Sequence, residues 1–195
     1  MAVDLSAIKK TTGLKPPSMI LFGSAGVGKT TFAAAAPNPI FLQTEGKKSI
    51  EEFGYGKGYV FALDYWRQFL AAINSLRVHK NMSLILIAHT HIRAYNSPDT
   101  EAYDRYEIKL HAKASGLIQE SVDAVLFAKH KIITKKEDKG FNQTRVRGIS
   151  TGERCLCTTE TPGYIAKNRY GLPSEIELSW AAFEQAIVNA TAKEQ

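Results

Sequence analysis

The sequence predicts an α/β fold, a mostly parallel sheet flanked by helices, with a β-hairpin region toward the C-terminal side. Three observations lead there. A glycine-rich loop joins a short apolar run, Met19–Phe22, to a helix-forming segment that begins near Lys29. Two more near-continuous apolar runs, SLILIA at Ser83–Ala88 and AVLFA at Ala124–Ala128, have the β-type composition of strands buried on both faces. Segments with helical periodicity stand between them. At 195 residues the chain has the length of one domain with a sizeable core. Residues 1–16, polar and basic, read as a leader, and 17–192 as the domain.

Taken in order, Pro16-Pro17 hold the backbone extended before the first strand, Met19–Phe22. An Ala-rich helix follows from Lys29 to about Ala36 and stops at Pro37-Asn-Pro39. Ile40–Thr44 reads as a second short buried strand, with Glu45 at its carboxyl end. From Tyr59 the apolar residues fall at 59, 62, 63, 66, 69, 70, 73 and 76, which makes one amphipathic helix to about Val78. The SLILIA strand ends at His89-Thr90-His91, and a charged loop runs from Ile92 to Arg105. Ile108–Gln119 reads as a helix, Ala124–Ala128 as a buried strand, and Lys129–Arg147 as a basic hairpin with Lys139-Gly140 near its tip. Arg154–Thr159 and Tyr164–Lys167 are further strands around Pro162-Gly163. A terminal helix over Leu178–Ala192 is capped by Ser174 or Ser179.

Charge is concentrated in one place. The chain carries 25 Lys and Arg against 19 Asp and Glu, a formal +6. Seven of the cations (129, 131, 135, 136, 139, 145, 147) lie between Lys129 and Arg147, opposed only by Glu137 and Asp138. This localised basic arm suits a polyanionic partner. Cys155 and Cys157 indicate no disulfide framework, and with no further ligands at zinc-like spacing they read as ordinary strand positions. Neither a signal-peptide pattern nor an apolar run of about 18 residues is present, so the expected location is the cytoplasm, with no membrane partner.

The loop itself, GSAGVGKT from Gly23 to Thr30, fits G-x-x-x-x-G-K-[ST] at every specified position, with a strand before and a helix after. Gly23, Gly26 and Gly28 permit the positive φ angles that turn successive N–H groups onto an anion. The helix start adds unpaired N–H groups, and the Lys29 ammonium can reach the β- and γ-phosphates of a nucleotide. Thr30 is placed to bind Mg²⁺. The expected phosphate-contacting set is Gly23, Ser24, Ala25, Gly26, Val27, Gly28, Lys29, Thr30 and Thr31, with ATP and Mg²⁺ as the bound species.

Hydrolysis needs a carboxylate to orient water and positive charge on the phosphoryl oxygens. Glu45, at a strand end facing the nucleotide, is the candidate for the first, beside the alternative of a solvated loop glutamate. His89 ends the SLILIA strand and either senses the γ-phosphate or acts as a structural donor. Lys167 and Arg169, two apart in an extended segment, share a face and can grip one phosphate. Arg93, Lys135, Lys136, Lys139, Arg145 and Arg147 are the candidate nucleic-acid contacts, with Tyr95, Tyr103 and Phe141 available for stacking.

The combination of GSAGVGKT, LQTEG, LILIAH and AKNRYGLP resembles the RecA-like ATPase core of phage single-strand-annealing recombinases, within the group of RecA, RadA and the DnaB helicases. The similarity runs in order from Pro17 to about Ile187, and EFGYGKGY and YDRYEIKLH are similar to that family too. The resemblance implies a RecA-like P-loop NTPase core, a DNA-dependent ATPase acting on single-stranded DNA in recombination, and the cytoplasm of a bacterial host. It implies that Glu45 activates water, that His89 is the polar residue ending its strand, and that Lys167 and Arg169 project toward the nucleotide of an adjacent subunit. A shared site implies a homo-oligomeric ring or filament, in which the loops after His89 and around Lys129–Arg147 line the DNA path; a phage single-strand-binding protein is a further expected partner.

One departure stands out. Members of that group have, after the LQTEG strand, another strand ending in an aspartate that holds the Mg²⁺ water. Here Gly46 runs directly into Lys47-Lys-Ser-Ile, so a βα unit of roughly 30 residues is missing and the fold is internally shortened. Val60–Asp64 is the only replacement on offer, and the helical periodicity of Tyr59–Val78 counts against it. Turnover is therefore in doubt. The readings to separate are a DNA-stimulated ATPase, a nucleotide-responsive annealing module without turnover, and, from another class, a P-loop small-molecule kinase, which would need a mobile arginine-bearing lid.

Overall fold

The computed structural model describes residues 15–42, 57–98, 101–138 and 144–193. The leader through residue 14, Glu45 with the rest of LQTEG after Leu42, Lys139 and Phe141 lie outside them. The organising strand is β1 (Ser18–Gly23), buried at every position. It pairs in parallel with β2 (Leu84–Tyr95) on one side and with β4 (Ala124–Asp138) on the other. Its side chains alternate between two cores, as the period of a strand dictates. Met19 and Leu21 join Val27, Phe32, Leu126, Phe183 and Ala186 on the face covered by α1 (Lys29–Ala34) and α4 (Trp180–Lys193). Ile20 and Phe22 join Leu70, Ile73, Ile118 and Phe127 on the face covered by α2 (Lys57–Lys80) and α3 (Ala112–Ser121). Apolar residues on both faces of a strand require a layer on each side, and the result is a sheet between helices.

The sheet is mixed rather than mostly parallel. Only β2, β1 and β4 run in parallel. Both outer strands continue past the end of β1 and fold back: β2 runs on to Tyr95 and pairs antiparallel with β3 (Tyr103–Ile108), and β4 runs on to Asp138 and pairs antiparallel with β5 (Thr144–Cys157). β7 (Glu175–Glu177) adds to β5 and β6 (Lys167–Asn168) to β4, for the order β3-β2-β1-β4-β5-β7. Tyr106 of β3 bridges to Tyr164, and the Tyr106, Phe127 and Tyr164 rings stack at 5.2 and 4.9 Å across the sheet.

Several boundaries differ from expectation. Ile92–Arg105 is not loop throughout: β2 runs on to Tyr95 and Tyr103–Ile108 pairs back onto it as β3, leaving the helix after it to begin at Ala112 rather than Ile108. Ile40–Leu42 is not strand and its side chains are exposed; Gln43 and Thr44 lie outside the described residues. Asp64 lies on α2, exposed and paired with Arg67 at 2.7 Å, so it is not a strand-end metal ligand. Ser179 is the cap of α4, accepting from the Ala182 N–H at 3.2 Å.

Candidate functional site

Gly23, the last residue of β1, has to be glycine: a Cβ there would stand 2.3 Å from the Ala128 carbonyl oxygen. Gly26 and Gly28 have φ of 77° and 102°, a region side chains rarely adopt, so the reversal of the loop depends on them. Val27 is fully buried against Phe32, Leu178 and Phe183 and pins the loop from beneath. Ser24, Ala25, Gly26, Thr30 and Thr31 are exposed around the rim. A pinned base under an open rim of backbone amides suits an anion.

Lys29 is buried, and its ammonium donates to the carbonyl oxygens of Gly23 at 2.9 Å and Ser24 at 2.8 Å. Burial lowers its pKa. The charge is therefore held inside the loop, where phosphate oxygens would meet it. α1 is only six residues long and Gly28 provides no side-chain cap, so the helix contributes the open N–H groups of its first turn. The exposed Thr30 hydroxyl is the group that would hold Mg²⁺, whose chemistry here is neutralisation of phosphate charge.

Two residues flank the loop. His89 is the register partner of Gly23 and is exposed, with its carbonyl accepting from the Lys109 N–H at 2.8 Å. Arg154, from β5, reaches the other side: its Nη1 is 3.5 Å from the Val27 carbonyl oxygen and would stand 2.5 Å from a Cβ on Gly28. The sequence reading missed Arg154, because only the β4–β5 register brings this position back to the loop.

Lys167 and Arg169 are not beside this loop. β6 pairs with Ala124 and Val125, opposite the start of β1, whereas the loop follows Gly23 opposite Ala128, about 13 Å along the strand. The Lys167 ammonium donates to the carbonyls of Gln119 (2.6 Å), Val122 (2.7 Å) and Glu120 (3.4 Å), so it caps the C-terminal end of α3. Burial, and next the Arg169 charge, lower its pKa. Arg169 is exposed, 3.6 Å from Asp123 Oδ1. The pair is thus divided into a structural cation and an open one.

Both hairpins project beyond the same end of β1 as the loop. On the β2–β3 hairpin, Arg93 is exposed and 3.8 Å from Glu107, while Arg105 covers the Tyr95 ring at 3.7 Å and Tyr95 packs on Tyr103 at 5.5 Å. On the β4–β5 hairpin, the register sets Lys135 opposite Arg147, Lys136 opposite Val146 and Glu137 opposite Arg145. The basic segment is a two-stranded arm, not a helix.

Among the described residues, the outer edge of Leu84–Ala88 has no strand partner. The Leu84 N–H donates inward to Pro17 and the His89 carbonyl accepts from Lys109 on the outer side, so by alternation Ile85 and Ile87 direct their backbone groups outward. Beside them lies an open trough of about 770 Å³, lined by Ile40, Phe41, Leu42, Met82 and Val188 among others. Among the described residues no helix is long and apolar enough to cross a membrane.

A family model described as an AAA domain matches residues 15–50 and 46–170. No curated protein and no solved structure matches the chain. The two matched stretches take in the loop, both hairpins and β6, well over half of the sequence, and the chain therefore belongs to the AAA domain family as a nucleotide-binding P-loop protein.

Proposed function

We propose that this chain is an ATP-binding, RecA-like protein that acts on single-stranded DNA in phage recombination, in which nucleotide binding rather than rapid turnover is the working step. One observation carries this reading. The phosphate loop is fully built, with Lys29 drawn into it and Gly26 and Gly28 in the conformation it needs, while the outer edge of β2 has no partner strand among the described residues. In the family the sequence resembles an aspartate-bearing strand lies inside the sheet, and this unpaired edge leaves room for one. The two stretches of the family match overlap at residues 46–50, which supports the reading that a βα unit is missing where Gly46 runs into Lys47.

The chain's own groups then divide the work. Backbone amides of the loop, Lys29 and Arg154 bind the phosphates; Thr30 holds Mg²⁺; Glu45 orients water for whatever hydrolysis occurs; His89 senses the γ-phosphate from the neighbouring strand. The two hairpins grip DNA through its backbone, with Arg93, Lys135, Lys136, Lys139, Arg145 and Arg147 as contacts, so binding is sequence-independent and weakens steeply with salt. Exposed Arg169 reaches the nucleotide of an adjacent copy in a ring or filament. A kinase is disfavoured because the basic segment is a β-hairpin rather than a helical lid.

The test is ATP turnover with and without single-stranded DNA, run beside binding of a non-hydrolysable ATP analogue. Analogue and DNA binding with negligible turnover is the expected result. Robust DNA-stimulated turnover would sink the binding-only part, and absence of analogue binding would sink the whole. Lys29→Ala should abolish analogue binding, whereas Glu45→Gln should leave it intact and remove residual turnover.

A further inference from the structure

Cys155 and Cys157 stand two apart on β5, and the antiparallel register sets Cys157 directly opposite Glu175 on the edge strand β7. Their two thiol sulfurs and a Glu175 carboxylate oxygen all lie within 4.8 Å of one another. We propose that these three residues form a binding site for a zinc-class divalent metal, which ties the three-residue β7 to the base of the β4–β5 arm. The site is independent of the nucleotide reading.

The donor set has the chemistry for it. Two sulfurs and one carboxylate oxygen suit a borderline-soft ion that takes four tetrahedral ligands, and a fourth position remains for water or the Tyr164 hydroxyl, which lies against Cys157. Sulfur ligands on a tetrahedral zinc are separated by about 3.7 Å, given Zn–S bonds of about 2.3 Å, so side-chain rotation alone closes the group. Access exists from outside: Cys155 and Glu175 line an open depression of about 600 Å³ together with Lys131 and Arg154. Lys131 Nζ, 3.5 Å from Glu175, is the cation a metal would displace. Lys129, opposite Cys155, and Lys131 balance the net negative charge of two thiolates and a carboxylate around a divalent ion.

Uptake is a simple exchange. Each thiol gives its proton to solvent as its S–metal bond forms, so two protons leave per ion and no electrons move. Without metal, burial and the neighbouring Cys157 push the Cys155 thiol up to about 12. A disulfide is the competing fate of such a pair, but residues two apart in a strand have Cα atoms about 6.6 Å apart, near the upper limit for that bond.

The test uses the reduced full chain, stripped with a chelator and titrated with Co²⁺ alone. One equivalent should bind with a thiolate-to-cobalt charge-transfer band that Zn²⁺ then displaces, and Zn²⁺ should raise the melting temperature. Cys157→Ser should lose the band. Glu175→Gln, at an exposed position that leaves the core intact, should keep a band but bind Co²⁺ at least about tenfold more weakly. No band in the wild type overturns the proposal, as does a Glu175→Gln titration superimposable on the wild type.

Discussion

β1 has two parallel neighbours that look alike in sequence and differ in the folded chain. AVLFA in β4 is buried throughout, Leu126 and Ala128 completely. LILIA in β2 is only half-buried, and Ile87 is 39% exposed. Both runs have the composition of strands enclosed on all sides. What differs is the next layer: β4 is flanked by β5 and β6 and roofed by helices on both faces, whereas the proximal half of β2 meets β1 on one side and an apolar trough on the other. Strand composition reports how enclosed a strand can be. Its actual enclosure depends on elements elsewhere in the chain.

The largest effect should come from the enclosed side. Leu126→Ala removes a side chain with no exposure from the α1/α4 core and should cost about 3 to 4 kcal/mol in a chemical-denaturation experiment. Ile87→Ala, on the open side, should cost about half as much, because at 39% exposure a large part of its transfer gain is never realised. Equal losses at the two positions would mean that β2 is covered in solution.

The enclosed side is also locked at its entrance. Asp123, just before β4, accepts from Arg77 and from the Tyr170 hydroxyl at 3.1 Å, and its own N–H donates to the Ser18 carbonyl at 2.9 Å. Asp123→Ala leaves the Arg77 guanidinium, itself only 9% exposed, without its carboxylate. The expected loss is about 2 to 3 kcal/mol, below the range for a fully buried pair because Asp123 retains some solvent. A smaller effect concerns pH. Burial, with the Asp123 carboxylate adding to it, pushes the Tyr170 phenol up to about 12 from an unfolded value near 10. A raised pKa favours the protonated form in the fold, so this contribution is complete below pH about 10 and is lost as pH rises toward 12. Tyr170→Phe should flatten that alkaline decline in a melting series, and an unchanged decline would assign it to other groups.

The same contrast explains what could be read from residues alone. The loop from Gly23 to Thr30, α2 and the basic hairpin were legible because each is a local pattern: fixed spacing, a 3.6-residue period, a charge run between β-type segments. β3 was missed because its alternation is interrupted by charges, and β7 because three residues carry no period. Arg154 and the Cys155–Glu175 grouping depend on strand register, which no local window contains. Lys167 shows the converse. Its spacing to Arg169 suggests a shared phosphate grip, and within this chain the ammonium satisfies the last carbonyls of α3, a contact visible only once that helix is packed against β6.

The smallest expected effect is the sharpest test of the open edge. Ile87→Lys adds a charge at the centre of an uncovered strand edge, a substitution that edge strands tolerate and that blocks pairing with another strand. The monomer should lose less than about 0.5 kcal/mol, because a lysine can bury its stem along the trough and keep its ammonium in water. Analogue binding at the phosphate loop should be unchanged, because Ile87 stands opposite Leu21, two residues short of Gly23, and lines the trough rather than the loop. Loss of folding in Ile87→Lys would mean that this edge is enclosed, and the contrast between the two flanks of β1 would then fail at its weaker side.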